Sequence, residues 1–242
     1  GRVASCAPQD FPAAADQLWL GSGDGAFADA SDACGVNFPG GKGLGIVAAD
    51  LNSDRQIDLF IANDGVPNMC FNGHGDSSQF RFVELAMAQG VGVNRTGRSE
   101  ACMGIATADF NDDGKTDLFV TNFLDETNTL YRASSPEGFF VDQTWASGLA
   151  EPGIKVLGFG TQAGDFDLDG RMDLVVANGH VDDLTDLGVP YEMRPHCFQN
   201  QGRGTFLQVP PAQLGPYFAQ PHIGRSVATL DWDRDGAEEF VI

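Results

Sequence analysis

Sixteen oxygen-bearing side chains recur along this chain at one repeated spacing. The stretch Gly-Asp-Phe-Asp-Leu-Asp-Gly from Gly164 places Asp165, Asp167 and Asp169 on alternate residues, and Asp173 follows. Related stretches begin at Asp50, Asp109 and Asp231, so the repeat is about 60 residues long. Counting the first acid of each loop as position 1, side-chain donors fall at positions 1, 3, 5 and 9, and a backbone carbonyl is expected at position 7. The first loop offers Asp50, Asn52, Asp54, the carbonyl of Gln56, and Asp58. The second offers Asp109, Asn111, Asp113, the carbonyl of Lys115, and Asp117. The third offers Asp165, Asp167, Asp169, the carbonyl of Arg171, and Asp173. The fourth offers Asp231, Asp233, Asp235, the carbonyl of Ala237, and Glu239.

Hard oxygen donors in this number suit Ca²⁺, which takes six to eight oxygens, whereas Mg²⁺ keeps several waters. No His or Cys lies inside the loops, which argues against softer metals. Without a cation, carboxylates packed this densely repel, and some must protonate. Three to four Ca²⁺ ions are therefore expected. The first loop differs, because Arg55 stands where the others have a glycine. A left-handed turn there is strained, and whether this loop takes an ion stays open. An EF-hand is excluded. That motif needs a bidentate Glu at position 12 and a helix beyond it. Position 12 is Ile61, Val120, Val176 and Ile242, each in an apolar, strand-like run.

These loops need strands on both sides. Ahead of each lies a small-residue segment: Gly43–Ala49, Met103–Ala108, Gly158–Ala163 and Gly224–Thr229. Such segments suggest strands packed closely against a neighbour. Between the acidic loops lie aromatic hairpins with Gly-rich turns, at Leu18–Phe27, Cys70–Gly75, Leu130–Phe139 and Cys197–Phe206. Each repeat thus holds about four short strands. The expectation is an all-β fold, a single β-propeller domain over residues 1–242 built from four-stranded blades, with four blade repeats in this chain. The chain opens on the second half of a blade and closes on the first half of one. Pairing of Glu239–Ile242 beside Leu18–Leu20 would close a four-bladed ring; the alternative is four blades of a larger ring.

A formal charge of −20 argues against nucleic-acid partners and against anionic membrane surfaces. No run is long and apolar enough to span a membrane. The opening Gly1–Phe11 stretch is polar and lacks the character of a leader, so an exported protein would have its leader removed or outside this sequence. Five cysteines, Cys6, Cys34, Cys70, Cys102 and Cys197, form no CxxC pair, and their pairing is open. His74, His180, His196 and His222 are scattered, and no hydrolase, zinc-protease or P-loop pattern is present. Asn94-Arg95-Thr96 forms a glycosylation sequon. The third repeat carries an insertion at 179–196, containing Tyr191, Met193 and Arg194. It reads equally as a binding loop or as a tolerated insertion.

The acidic hairpin after a Gly-x-Gly strand resembles the FG-GAP/VCBS repeat of integrin α-chain propellers and of many secreted bacterial proteins. The Leu18–Phe27 element, with the segments Asp32–Val36, Ala88–Val93 and Ala146–Pro152, is closer still to the ASPIC/UnbV-type repeat proteins. The resemblance covers nearly the whole chain from about Asp16 onward. It implies a Ca²⁺-stabilised, extracellular, periplasmic or cell-surface propeller. Such a module is not an enzyme and serves adhesion or protein contacts, with a protein or glycan as partner. It also implies rings of commonly seven blades, against four repeats here. The competing expectation is a carbohydrate-active propeller, a lectin or a polysaccharide lyase, as similar repeats occur in those.

Overall fold

A computed structural model describes residues 5–6, 8–76, 79–134 and 138–242. The first four residues of the polar opening stretch lie outside the described residues.

Sixteen strands form three complete blades and two half-blades. The first half-blade pairs β1 (Trp19–Gly21) with β2 (Phe27–Asp29). The first blade holds β3 (Gly43–Ala49), β4 (Asp58–Asn63), β5 (Met69–His74) and β6 (Arg81–Glu84). The second holds β7 (Ile105–Ala108), β8 (Asp117–Val120), β9 (Thr129–Ala133) and β10 (Phe140–Asp142). The third holds β11 (Gly158–Gly164), β12 (Asp173–Asn178), β13 (His196–Asn200) and β14 (Phe206–Gln208). The last half-blade pairs β15 (Ala228–Leu230) with β16 (Glu239–Val241). All pairings are antiparallel, in simple up-and-down order. A strand precedes each acidic loop and the expected aromatic hairpins are present, but Met103–Gly104 lie ahead of β7 and Gly224–Val227 ahead of β15 rather than in them.

The second strand of each complete blade is buried on both faces, which explains its unbroken apolar run. Side chains alternate along a strand. On β8, Leu118 and Val120 join Phe60, Ala62 and Cys70 of the first blade in one core, while Phe119 joins Leu174, Val176 and Phe198 of the third. The cores thus lie between blades, and each blade is stabilised by its neighbours. On β12, Val175 and Ala177 turn to the last half-blade.

Close approach of the inner strands needs glycine. A Cβ on Gly45 or Gly104 would overlap the carbonyl oxygen of Met103 or Phe159 in the following blade, and one on Gly160 would stand 2.6 Å from the Val227 nitrogen. At the outer rim, short helical turns end in left-handed glycines. These turns are α1 (Ser31–Cys34), α2 (Ala86–Gln89) and α3 (Thr144–Ser147), ending at Gly35, Gly90 and Gly148. A side chain on Gly148, for example, would meet the Phe206 carbonyl oxygen at 2.7 Å. A fourth turn, α4 (Ala150–Ile154), follows at once.

The expected pairing of Glu239–Ile242 with Leu18–Leu20 is not formed: β1–β2 and β15–β16 are separate two-stranded sheets. Among the described residues, each half-blade is held by its own hairpin and by the face of the adjoining blade. Leu18, Ala30 and Cys34 pack on Ile61 and Phe71, and Phe240 packs on Phe166. Trp19, at the place of the fully buried Phe71, is 52% exposed.

Candidate metal centres

Each acidic loop joins the first two strands of a blade, and its nine-residue course has one shape. Position 6 is left-handed in all four, at Arg55 (φ 69°), Gly114, Gly170 and Gly236. The strain expected at Arg55 is therefore real. Position 4 is left-handed as well, at Ser53, Asp112, Leu168 and Arg234, with φ between 58° and 63°. The sequence carried no glycine to signal this second turn. Two left-handed residues fold the early part of the loop back on itself, so that alternate side chains converge.

The position-1 carboxylate is the hub. Asp165 accepts the amides of Asp169 and Gly170, both at 2.9 Å. Asp109 accepts those of Asp113 and Gly114, and Asp50 those of Asp54 and Arg55. Asp231 accepts Gly236. The position-5 acid then receives the position-7 amide: Gln56 to Asp54, Lys115 to Asp113, Arg171 to Asp169 and Ala237 to Asp235.

Among the described residues, two groups of carboxylates come close enough to share one ion each. Oxygens of Asp165, Asp167 and Asp169 lie within 4.8 Å of one another, and so do those of Asp231, Asp233 and Glu239. At such a separation each pair of like charges costs about 3 kcal/mol at an effective dielectric of about 20. The chain relieves part of this in the third loop, where the Arg171 guanidinium bonds Asp169 and the Gln199 amide bonds Asp167. The second loop uses an amide at position 3, and Asn111 donates to Asp113 at 2.9 Å. The Asn111 Oδ1 is buried with no hydrogen-bond partner. An orphaned acceptor beside two carboxylates, and donor sets made of oxygen alone, fit a hard cation. Both groups could hold a metal ion.

The position-9 acids of the first three loops take a different place from the rest, whereas Glu239 of the fourth lies with Asp231 and Asp233. Asp58 and Asp117 are fully buried and Asp173 is nearly so. Each is fixed from two sides. Asp117 accepts the Phe110 amide at 3.1 Å on one oxygen and the Ala133 amide at 2.8 Å on the other. Asp58 accepts Leu51 and Gly73, and Asp173 accepts Asn200 at 2.7 Å. In the last loop Glu239 accepts Trp232. These acids tie the loop to the second and third strands. Burial pushes the carboxyls of Asp117 and Asp173 up to about 6, against the pull of their backbone hydrogen bonds. Asp113 adds to the rise at Asp117, as do Asp167 and Asp169 at Asp173. Asp58 is raised by burial too.

Residues that the repeat spacing did not flag carry the loops into the blade interfaces. Leu51, at position 2, shares a core with Phe140 of the next blade. Phe110 packs edge-on against Phe206 at 5.6 Å, and Phe166 against Phe240 at 4.5 Å. The β-carbon of Asn52 backs onto Gly138, and that of Asn111 onto Gly204, in the outer hairpins of the following blades. Only an apolar residue after the first acid could have hinted at this.

The insertion at 179–196 is anchored to the body at its root. Gly179 bridges Glu192, and Met193 bridges His222 and is buried against Leu157. An open groove of about 410 Å³ beside it is lined by Lys155, Glu192, Arg194 and His196, with Pro190 and Pro211. His196 is buried, and its imidazole is held neutral, with a pKa lowered to about 4. The sequon residue Asn94 is occupied: its amide donates to Glu100, and its oxygen accepts from Thr96 and Arg98. All five cysteines are free thiols, four of them buried. No helix of the described residues is long and apolar enough to cross a membrane.

The sequence matches the FG-GAP-like repeat family over residues 50–120 and 109–176. It is 27% identical to human cartilage acidic protein 1 over 173 residues, covering 67% of this chain and 24% of that protein. Against the Xenopus tropicalis protein of the same name it is 26% identical over 167 residues. The chain spans about a quarter of the length of these curated relatives.

Proposed function

The chain belongs to the FG-GAP-like repeat family, and from that premise we propose that it is a non-enzymatic, Ca²⁺-stabilised interaction module that works outside the cytoplasm. The observation that carries this reading is the convergence of Asp165, Asp167 and Asp169 in a loop whose turns hold them together at the expense of mutual repulsion. Each ion would take the side-chain oxygens at positions 1, 3 and 5 and the position-7 carbonyl, with the position-9 acid closing the set. For the four loops these are the residues named from Asp50 to Asp58, Asp109 to Asp117, Asp165 to Asp173, and Asp231 to Glu239. When bound, Ca²⁺ supplies charge neutralisation and fixed geometry. The protein's own residues orient the carboxylates and carry that order into the blades. Millimolar Ca²⁺ outside cells suffices for loops of modest affinity. A cell-surface or secreted role in adhesion or protein contact fits the exposed, strongly acidic surface.

Elemental analysis of the purified protein and thermal unfolding with and without chelator test the reading together. Bound Ca²⁺ and a lower melting temperature in chelator are expected. A metal-free protein with an unchanged melting temperature in added Ca²⁺ would overturn it.

A further inference from the structure

We propose that the second and third acidic loops are coupled cation sites, linked by one buried residue, Asn200; this rests on the Ca²⁺ reading above.

Asn200 ends β13 in the third blade and is 1% exposed. Its backbone N–H donates to Asp173 Oδ1 at 2.7 Å, the position-9 acid of the third loop. Its side-chain amide donates to the Met172 carbonyl at 3.0 Å, also in the third loop. The same amide nitrogen donates to the Phe110 carbonyl at 2.9 Å, at position 2 of the second loop. The Phe110 N–H in turn bonds Asp117, the position-9 acid of that loop. Three hydrogen bonds, joined through Asn200 itself and the Phe110 backbone, therefore link the two position-9 carboxylates across the blade interface. The path is buried, where such bonds are strong and hold their geometry. Phe110 also packs edge-on against Phe206 of β14, in the same blade as Asn200.

Among the described residues, the link is specific to this pair of loops. Register places Gly73, Ala133 and Asn200 at the same point of their blades, two residues beyond the partners of Leu59, Leu118 and Leu174. Each donates its backbone N–H to the position-9 acid of its own loop. Asn200 alone of the three has a side-chain amide to reach the preceding loop. Drawing Asp173 onto an ion fixes Asn200, Asn200 holds the Phe110 carbonyl, and the Phe110 backbone carries that order to the N–H that bonds Asp117. Order imposed at one loop is then already present for the other, which is positive coupling.

The amides of Gly114 and Gly170 report each loop separately, since each donates to the position-1 acid of its own loop. Ca²⁺ titrations followed by ¹⁵N NMR at these two positions test the coupling. Asp165→Ala disables the third loop. It should weaken Ca²⁺ at the second loop, read at Gly114, by about 5-fold, the low end of ordinary coupling. In an Asn200→Ala background the same change should shift the Gly114 titration by less than about 2-fold. Alanine is the native residue at this point of the second blade, so the backbone accepts it. If Gly114 titrates identically with and without Asp165→Ala, the coupling is overturned, and that arm stands even if Asn200→Ala fails to fold. A coupling that survives Asn200→Ala overturns the assigned path. Ca²⁺ that moves neither glycine overturns the Ca²⁺ reading itself, a different signature from independent sites.

Discussion

Gly104 of the second blade lies so near Phe159 of the third that a β-carbon on Gly104 would overlap the Phe159 carbonyl oxygen. Thr121 holds that carbonyl in place: its hydroxyl donates to it at 2.5 Å and accepts the Gly104 amide at 2.8 Å. The clash is with backbone, so it is relieved only by separating blades. Gly104→Ala should cost about 3 kcal/mol, the top of the range for overpacking. Gly114 is a different case, left-handed with open space around it, and Gly114→Ala should cost about 1 kcal/mol. Urea unfolding of the two variants checks the order; a smaller loss at Gly104 would refute the blade-contact argument.

Arg55 occupies a conformation that suits glycine, at φ 69°. Arg55→Gly relieves strain of about 1 kcal/mol, partly offset by the greater freedom of glycine in the unfolded chain. A net gain of about 0.5 kcal/mol is expected in denaturant unfolding. Removing the guanidinium should also strengthen Ca²⁺ binding at the first loop. Calorimetric titration of the variant would show no gain in affinity if the loop takes no ion.

The position-9 acids set a pH dependence whose sign depends on the metal. Asp117 and Asp173 sit at about 6 in the folded chain, above the usual unfolded value near 3.9. Between these values the folded state binds more protons than the unfolded state, so stability falls as pH rises from about 4 to about 6. With chelator, the melting temperature should therefore drop from pH 5 to pH 7. Ca²⁺ needs the ionised carboxylates and displaces the protons, so its stabilising effect should be larger at pH 7 than at pH 5. Thermal scans at both pH values, with and without Ca²⁺, check this; equal Ca²⁺ shifts would remove these acids from the ion sites.

Thiol titration should find one reactive cysteine in the native chain and five in denaturant. Cys6 is exposed and the other four are buried. Burial pushes the Cys197 thiol up to about 12, and Cys70 and Cys102 higher still, so little thiolate forms at neutral pH. Fewer than five thiols in denaturant would mean that a disulfide forms.

Much of this architecture is local and was therefore legible in order of residues. Alternation and turn glycines act over a few residues, so the four-stranded repeat, the acidic loops and the strain at Arg55 could be read without coordinates. The β-branched residues at Ile61, Val120 and Val176 likewise excluded an EF-hand, because strand and helix demand different periods. The left-handed residues at position 4 escaped, because Leu168 and Arg234 are not residue types that announce such a turn.

What lay beyond the sequence is whatever depends on one blade meeting another. The apolar run after Asp173 sets it at the head of a strand, but only packing buries it between strands while Asp167 stays near the surface. Leu18–Leu20 and Glu239–Ile242 looked complementary, and tertiary packing left them in separate sheets. Asn200 and Phe110 are 90 residues apart in the chain and 2.9 Å apart in space. Sequence determined the repeat and its chemistry, since those follow from short-range periodicity and donor type. The stacking of blades alone decided which carboxylates lose water and which loops are joined, since desolvation and hydrogen bonding depend on neighbours that the chain brings together only on folding.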